Sequence, residues 1–256
     1  MCLILFALDA HPRWRLVLAA NRDEFFARPT APAAWWDDAP EVLAGRDLRD
    51  GGTWMGVTRA GRLAAVTNYR EPDRYTVGAP SRGRLVADFL RGRVTAEEYA
   101  GDLAERGQAF NGFNLLVGDA DGLIWLSNRF DGTQRLEAGV YGLSNHLLDT
   151  PWPKVVRGKE DVRRALDGPD EALEAALFAS LALRDPAPDA QLPSTGIERE
   201  RERALSAAFI STPEYGTRAS TVLLVGHGGE VRMTERTTVP GESRWTKVRH
   251  EFRLEE

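Results

Sequence analysis

Paired apolar segments, each pair separated by a short turn, are the feature that most constrains the fold of this chain. The first pair is CLILFAL and RLVLAA, joined near His11 and Pro12. Later pairs are GTWMGVT with RLAAVTN, FNLLVGD with GLIWLSN, and STVLLVG with EVRMTERT, and a glycine lies in each of their turns. Near-continuous apolar runs are typical of strands that are covered on both faces. The pattern therefore predicts antiparallel hairpins, followed by a last alternating strand at VRHEFRL.

Helical periodicity falls between these hairpins. It occurs in SRGRLVADFLRG, TAEEYAGDLAERG, VVRGKEDVRRALDG, DEALEAALFASLAL and IERERERALSAAFI. Thr95 and Glu98 have the spacing of a capping box at the start of the second segment. The proline-rich stretch RDPAPDAQLPSTG is interpreted as a surface loop, not as a linker between domains. We therefore predict one α+β domain over 1–256, with stacked, mainly antiparallel sheets and helices outside them.

Composition and charge exclude several classes of partner. The chain of 256 residues has a formal net charge of -5, with acidic and basic residues interspersed, so we expect no nucleic-acid partner. The opening apolar segment has no basic segment before it and is interrupted by Asp9, so we expect no signal peptide and no stable membrane insertion. These features predict a cytoplasmic protein. The sequence carries no signal for an oligomeric state.

The only cysteine of the chain lies at position 2. A turn near His11 pairs residues whose numbers sum to about 23, which brings Cys2 beside Asn21, Arg22 and Asp23. Once Met1 is removed, the α-amine of Cys2 has an ordinary pKa of about 7.7 to 8.0 and is able to act as the base for its own thiol. Asp23 would then hold or orient the α-ammonium. The alternative is a cysteine that only packs as a small hydrophobic residue.

Three further polar residues fall at strand ends or turns. Asn68 closes RLAAVTN and has an amide that can donate to a developing oxyanion. Asn145 lies between a short strand and a helix, where an asparagine is also a common N-cap. Arg218 enters another strand and is suited to bind a carboxylate or a phosphate. Each residue has an ordinary alternative as a turn, cap or surface residue.

The sequence resembles the NRDE family, also called the transport and Golgi organisation family. The motifs that carry the resemblance span nearly the whole chain and are NRDE, GGTW, TNYREP, NGFNLLVGD, YGLSNHLLDTPWPK and YGTRASTVLLV. Members of the family are similar to N-terminal-nucleophile hydrolases, especially to the cholylglycine hydrolase and penicillin V acylase group. The resemblance implies an αββα sandwich.

The same resemblance implies roles for individual residues. Cys2 corresponds to the nucleophile and base, and Asp23 to the aspartate that contacts its amine. Asn68 and Asn145 correspond to the asparagines that stabilise the oxyanion and position the substrate, and Arg218 completes the site. The acylases also have an arginine three residues before the aspartate, and the present chain departs from them by having alanine at position 20.

Two functions follow as alternatives. The first is a cysteine amidohydrolase or acyl-transfer enzyme that acts on a non-peptide amide or thioester and requires no metal and no other cofactor. Its predicted substrate contacts are Asn21 and Arg22 beside Cys2, together with Trp54. The second, which the family resemblance also implies, is a non-enzymatic carrier of haem, an acyl lipid or coenzyme A, in which haem is a transported ligand. Either way the predicted partner is a small amphipathic ligand or acylated substrate. The available imidazoles are those of His11, His146, His227 and His250.

Overall fold

The computed structural model describes residues 2–238 and 245–255. The contacts between these residues divide the chain into two compact units. The first unit comprises the described residues of 1–27, 137–144 and 148–251, and the second comprises those of 28–136, 145–147 and 252–256. Each unit contains one sheet, so we treat the two units separately.

Strands and helices are numbered in chain order. The strands are β1 (Cys2–Leu8), β2 (Trp14–Phe25), β3 (Thr30–Trp36), β4 (Ala39–Asp47), β5 (Met55–Thr58), β6 (Leu63–Asn68), β7 (Phe113–Asp119), β8 (Gly122–Ser127), β9 (Thr133–Arg135), β10 (Gly139–Leu143), β11 (Tyr215–Gly226), β12 (Glu230–Thr238) and β13 (Trp245–Arg253). The α-helices are α1 (Gly83–Arg91), α2 (Ala96–Arg106), α3 (Pro153–Leu166), α4 (Asp170–Leu181) and α5 (Arg199–Ala204).

The first unit is built on a six-stranded sheet in the order β10-β1-β2-β11-β12-β13. Helix α3 packs on β1 and β10, while α4 packs on β2 and β11. Alternate residues of β1 face these helices, since Leu3 and Leu5 belong to the same buried cluster as Val155 and Leu177. The intervening residues of β1, beginning with Cys2, therefore lie on the opposite face of the sheet.

The second unit is built on a seven-stranded sheet whose strands follow the chain order from β3 to β9. Helix α1 packs on β4, β5, β6 and β7, and α2 packs on β7 and β8. The buried cluster beneath the helices includes Phe89, Leu90 and Phe113. At the start of α2, Thr95 and Glu98 form the predicted capping box, which is thereby confirmed.

The predicted α+β fold, with mainly antiparallel sheets flanked by helices, is confirmed. The assignment of 1–256 to one domain stays a prediction. Within the described ranges, none of the helices has both the length and the hydrophobicity needed to span a bilayer. Four of the five predicted helices are present near their predicted bounds.

The helix predicted over IERERERALSAAFI is wrong in its second half. Helix α5 ends at Ala204, and the following residues form turns. The backbone N–H of Phe209 donates to the carbonyl of Leu183, and that of Thr217 donates to the carbonyl of Ile210. These bonds to distant segments replace the helical hydrogen bonds that the local periodicity favours.

Candidate active site

The β1–β2 hairpin brings the NRDE motif back to the start of the chain. Cys2 pairs with Arg22, one residue from the register that the turn position predicts, so the predicted neighbourhood is confirmed. Because directly opposed residues share a face, Cys2 and Arg22 point to one side of the sheet. Asn21 and Asp23 point to the other side, the one covered by helices.

Cys2 is a half-buried free thiol whose pKa is raised above the ordinary value. Burial is the largest cause, and the nearby carboxylate of Asp23 raises the pKa further. A hydrogen bond from the backbone N–H of Asp23 and the charge of Arg22 act in the opposite direction. The thiol is therefore protonated at neutral pH, and a base must remove its proton before it attacks a carbonyl carbon.

Asp23 is a carboxylate that is only 1% exposed. Its Oδ1 accepts a hydrogen bond of 2.7 Å from Oγ1 of Thr217, and its backbone carbonyl accepts one of 3.0 Å from the hydroxyl of Tyr215. Burial raises the pKa of Asp23, while the positive charge of Lys154 is the strongest of the influences that lower it. The site thus combines a buried acid with a buried cation.

Arg22 and Arg218 add positive charge beside Cys2 and Asp23. Arg22 is 6% exposed, and its Nη2 lies 3.8 Å from Oε2 of Glu24 on the same strand.

Arg218 lies at a β-bulge, where the pairing of β11 with β2 shifts by one residue. Its Nη1 donates to the carbonyls of Phe25 at 3.0 Å and Phe26 at 3.1 Å. Burial lowers the pKa of Arg218, and the charge of Arg22 lowers it further.

Asn21 is engaged in hydrogen bonds within the first unit. Its Nδ2 donates to the carbonyls of Leu181 at 2.9 Å and Ala208 at 2.8 Å, and its Oδ1 accepts from Oγ of Ser220 at 2.6 Å. These bonds connect β2 with the end of α4 and with the segment after α5. They give Asn21 a structural role, and its contact with a substrate stays a prediction.

The two predicted asparagines Asn68 and Asn145 lie together in the second unit. Nδ2 of Asn145 donates to the backbone carbonyl of Asn68 at 2.9 Å, and the backbone N–H of Arg70 donates to the carbonyl of Asn145 at 2.7 Å. Asn145 is fully buried and Asn68 is half-buried. The alternative that Asn145 caps the next helix is wrong, because the N-cap of α3 is Trp152.

Trp54, the predicted substrate contact in the second unit, is half-buried between β4 and β5. Its indole lies against the backbone of Gly45, and a Cβ at that position would overlap the six-membered ring. The carbonyl of Trp54 accepts a hydrogen bond of 2.8 Å from the backbone N–H of Val66. The orientation of this indole therefore depends on a glycine.

Two polar residues near the predicted ones were missed by the sequence analysis. Asn114 is fully buried and donates from Nδ2 to Oγ1 of Thr67 at 3.1 Å and to the carbonyl of His146 at 2.9 Å. Lys154 is 5% exposed in the first turn of α3. A signal was present for the lysine, since a positive charge in the first turn of a helix is disfavoured by the helix dipole and needs compensation elsewhere.

The chain matches the family described as Transport and Golgi organisation 2 over residues 1–240. A Bos taurus protein named "Transport and Golgi organization protein 2 homolog" is 41% identical over 280 residues, and a Homo sapiens protein of the same name is 37% identical over 276 residues. Both comparisons cover 100% of each chain. A solved structure of a Caenorhabditis elegans N-acylethanolamine-hydrolyzing acid amidase ortholog has a TM-score of 0.49 and 10% identity, over 87% of this chain and 92% of that chain. The chain belongs to the Transport and Golgi organisation 2 family.

Proposed function

We propose that this protein is an N-terminal-nucleophile cysteine enzyme that hydrolyses or transfers the acyl group of a non-peptide amide or thioester. The nucleophile is the thiol of Cys2, exposed together with its α-amine when Met1 is removed. The observation that best supports the proposal is the pairing of Cys2 with Arg22, which brings the start of β1 beside Asp23, a buried acid whose backbone N–H donates to the thiol and whose charge raises its pKa. A buried acid close to a thiol is a functional-site candidate, because groups with perturbed pKa values cluster at reactive sites.

In the proposed reaction, the sulfur of Cys2 attacks the acyl carbon and the thiol proton passes to its own α-amine. The tetrahedral intermediate then expels the amine or thiol leaving group, which takes that proton from the α-ammonium. A thioester between the acyl group and Cys2 remains. In hydrolysis, a water molecule gives a proton to the α-amine, its oxygen joins the acyl carbon, and the released sulfur recovers the proton. In acyl transfer, an acceptor amine or thiol takes the place of water.

The neighbours of Cys2 suit this reaction. A thiol whose pKa is raised needs a base, and the α-amine of the same residue supplies one. Asp23 would hold the α-ammonium that forms during the attack, because an ionised carboxylate stabilises a nearby positive charge. In the acylases, an arginine supplies positive charge at the position that is Ala20 in this chain. Arg22 lies on the same face as Cys2 and would supply that charge here. The roles of Asn68, Asn145 and Arg218 stay predictions of the family resemblance.

The test is the intact mass of untagged full-length protein after exposure to a decanoyl thioester of N-acetylcysteamine or to decanoyl p-nitroanilide. We expect loss of Met1 and a decanoyl adduct that peptide mapping locates at Cys2. The Cys2→Ala variant is expected to form no adduct and to release no product. If that variant turned over either compound at the normal rate, the proposed reaction would be excluded.

A matched control separates the thiol from the base. One additional residue placed before Cys2 keeps the thiol but converts its α-nitrogen into an amide, which has no basicity in this pH range. We expect this form to be alkylated by iodoacetamide and yet to form no decanoyl adduct. Equal adduct formation by both forms would contradict the role of the α-amine.

A second candidate function is binding of an amphipathic ligand without chemistry. The first unit has a cleft of about 560 Å³ on the helical side of its sheet, a volume within the usual range for small-molecule sites. Much of its lining is apolar and includes Leu3, Leu5, Val156, Leu183 and Pro186. None of the described residues that line this cleft is a histidine, so the cleft favours an acyl chain over an iron-ligated haem.

Binding of the fluorescent fatty acid cis-parinaric acid to the Cys2→Ala variant tests this second function. Ala187→Trp would fill the cleft and is expected to weaken binding at least tenfold. Ala182→Trp adds the same bulk at an exposed position outside the cleft lining and serves as the control. Equal affinities of the two tryptophan variants would exclude the cleft as the binding site.

A further inference from the structure

Lys154 is a buried lysine at an electrostatically unfavourable position. It directly follows the first residue of α3, where the exposed N–H groups of the helix already carry partial positive charge. Its side chain turns inward, and Nζ donates a hydrogen bond of 3.1 Å to the carbonyl of Leu205. A lysine is seldom this buried unless an opposite charge compensates it.

The segment Leu205–Ile210 forms hydrogen bonds at three points with residues around Asp23. Lys154 bonds the carbonyl of Leu205, and Asn21 bonds the carbonyl of Ala208. At the other end, Oγ1 of Thr217 accepts from the N–H of Ile210 at 2.9 Å and donates to Asp23. The same short segment thus fixes the lysine and the hydroxyl that donates to the carboxylate.

We propose that Lys154 is a positioning residue whose buried ammonium keeps the Asp23 carboxylate ionised, and this inference rests on the proposed use of Asp23 to hold the α-ammonium of Cys2. This role requires no contact between the lysine and the thiol or the acyl group. It acts by compensating the charge of a carboxylate that burial would otherwise neutralise. The titratable side chains around Asp23 are Lys154 on α3, Arg22 on β2, Cys2 on β1 and Tyr215 on β11.

The test is the pKa of Asp23 in the full-length protein, measured by NMR on protein carrying ¹³C at the aspartate carboxyl carbons. The resonance of Asp23 is the one that disappears in Asp23→Asn. Lys154→Gln removes the charge and keeps a donor for Leu205, and we expect it to raise the pKa of Asp23 by about one pH unit or more. Lys154→Arg is expected to restore the original value. An unchanged pKa in Lys154→Gln would overturn the proposal.

Lys159→Gln is the matched control, because Lys159 lies on the same helix and pairs with Asp149 at 2.7 Å. It is expected to leave the pKa of Asp23 unchanged. If Lys154→Gln fails to fold, the double variant with Asp23→Asn decides: we expect it to fold, since no buried acid then lacks compensation. A double variant that remains unfolded would overturn the proposal.

The titration needs no turnover, so it is distinguishable from the test of the proposed function. If no acyl compound forms an adduct on Cys2 but Lys154→Gln still moves the pKa of Asp23, the proposed reaction fails and the electrostatic role of Lys154 stands. If adducts form, the acidic limb of the pH–rate profile is expected to move to higher pH in Lys154→Gln and to return in Lys154→Arg.

Discussion

Thr217 and Asp23 are joined by a hydrogen bond of 2.7 Å between Oγ1 and Oδ1, and each residue is only 1% exposed. The same hydroxyl oxygen accepts the backbone N–H of Ile210 at 2.9 Å. One hydroxyl therefore stabilises a buried carboxylate and satisfies a buried backbone donor. Two interactions are lost together when the hydroxyl is removed.

We predict that Thr217→Val lowers the free energy of unfolding by about 1–3 kcal/mol, because the donor of Ile210 is left without its acceptor in a buried region. It also raises the pKa of Asp23, since the hydrogen bond from Thr217 lowers that pKa. Urea denaturation measures the first effect. Thr217→Ser keeps the hydroxyl and is the control, so equal stability of the two variants would contradict the prediction.

Asp23 is expected to make the stability depend on pH. Its pKa in the folded protein is raised above the unfolded value of about 3.9, so the folded state holds the proton more tightly. The contribution of Asp23 to the free energy of unfolding is therefore greatest at low pH. It falls as the pH rises from about 4 to the pKa that Asp23 has in the folded protein. The slope is at most about 1.4 kcal/mol per pH unit.

The measurement is the difference in free energy of unfolding between the wild type and Asp23→Asn, taken from urea titrations between pH 4 and 8. We expect the free energy of unfolding of the wild type to fall relative to that of Asp23→Asn as the pH rises. A difference that grew in favour of the wild type would mean a lowered pKa, and would contradict the account of Asp23 as a buried acid only partly compensated by Lys154.

The reactivity of Cys2 gives a direct measure of its environment, because it is the only cysteine of the chain. We predict that the midpoint of its alkylation by iodoacetamide lies at higher pH in the folded protein than in urea, since burial raises the pKa of the thiol. Asp23→Asn is expected to lower that midpoint, because the carboxylate charge also raises the pKa.

Intact mass against time over pH 7 to 10 provides the alkylation rates. Asp185→Asn is the control, since its carboxylate is exposed and forms an ion pair with Arg157 at 3.9 Å. We expect Asp185→Asn to match the wild type. A midpoint that is the same in folded and urea-unfolded protein would contradict the prediction.

The neighbourhood of Cys2 was predictable because an antiparallel hairpin converts the position of its turn into a register. Local sequence alone identifies the turn near His11. The observed pairing of Cys2 with Arg22 differs by one residue from the predicted register. Family motifs supplied the remaining site residues. Asn68 and Asn145 are far apart in the chain, so only the resemblance associates them in the sequence, whereas in the structure a hydrogen bond joins them.

Other features depend on contacts that no local pattern encodes. The bonds from Asn21 to the carbonyls of Leu181 and Ala208 join segments more than 150 residues apart. Strand β3 was missed because Pro32 interrupts it, and a proline is tolerated there because β3 is an edge strand. Asp37 and Asp38 form the turn between β3 and β4, and Asp38 pairs with Arg46 at 2.8 Å.

Gly45 and Trp54 provide the last prediction, which concerns the predicted substrate contact. An alanine Cβ at position 45 would overlap Cη2 and Cζ2 of the indole, so Gly45→Ala must displace Trp54. We expect a loss of about 1–3 kcal/mol in the free energy of unfolding, as is usual for an overpacked site. If Trp54 contacts the substrate, the rate of decanoyl adduct formation on Cys2 is also expected to fall at least tenfold.

Gly101→Ala is the matched control, because a Cβ there meets no atom within 4 Å and the residue lies inside α2. It is expected to raise the stability by up to about 1 kcal/mol, through the higher helix propensity of alanine, and to leave adduct formation unchanged. Trp54→Phe separates the two effects, since it removes part of the indole without crowding Gly45. If Gly45→Ala and Trp54→Phe both formed the adduct at the wild-type rate, Trp54 would have no part in substrate binding, and its orientation against Gly45 would serve packing alone.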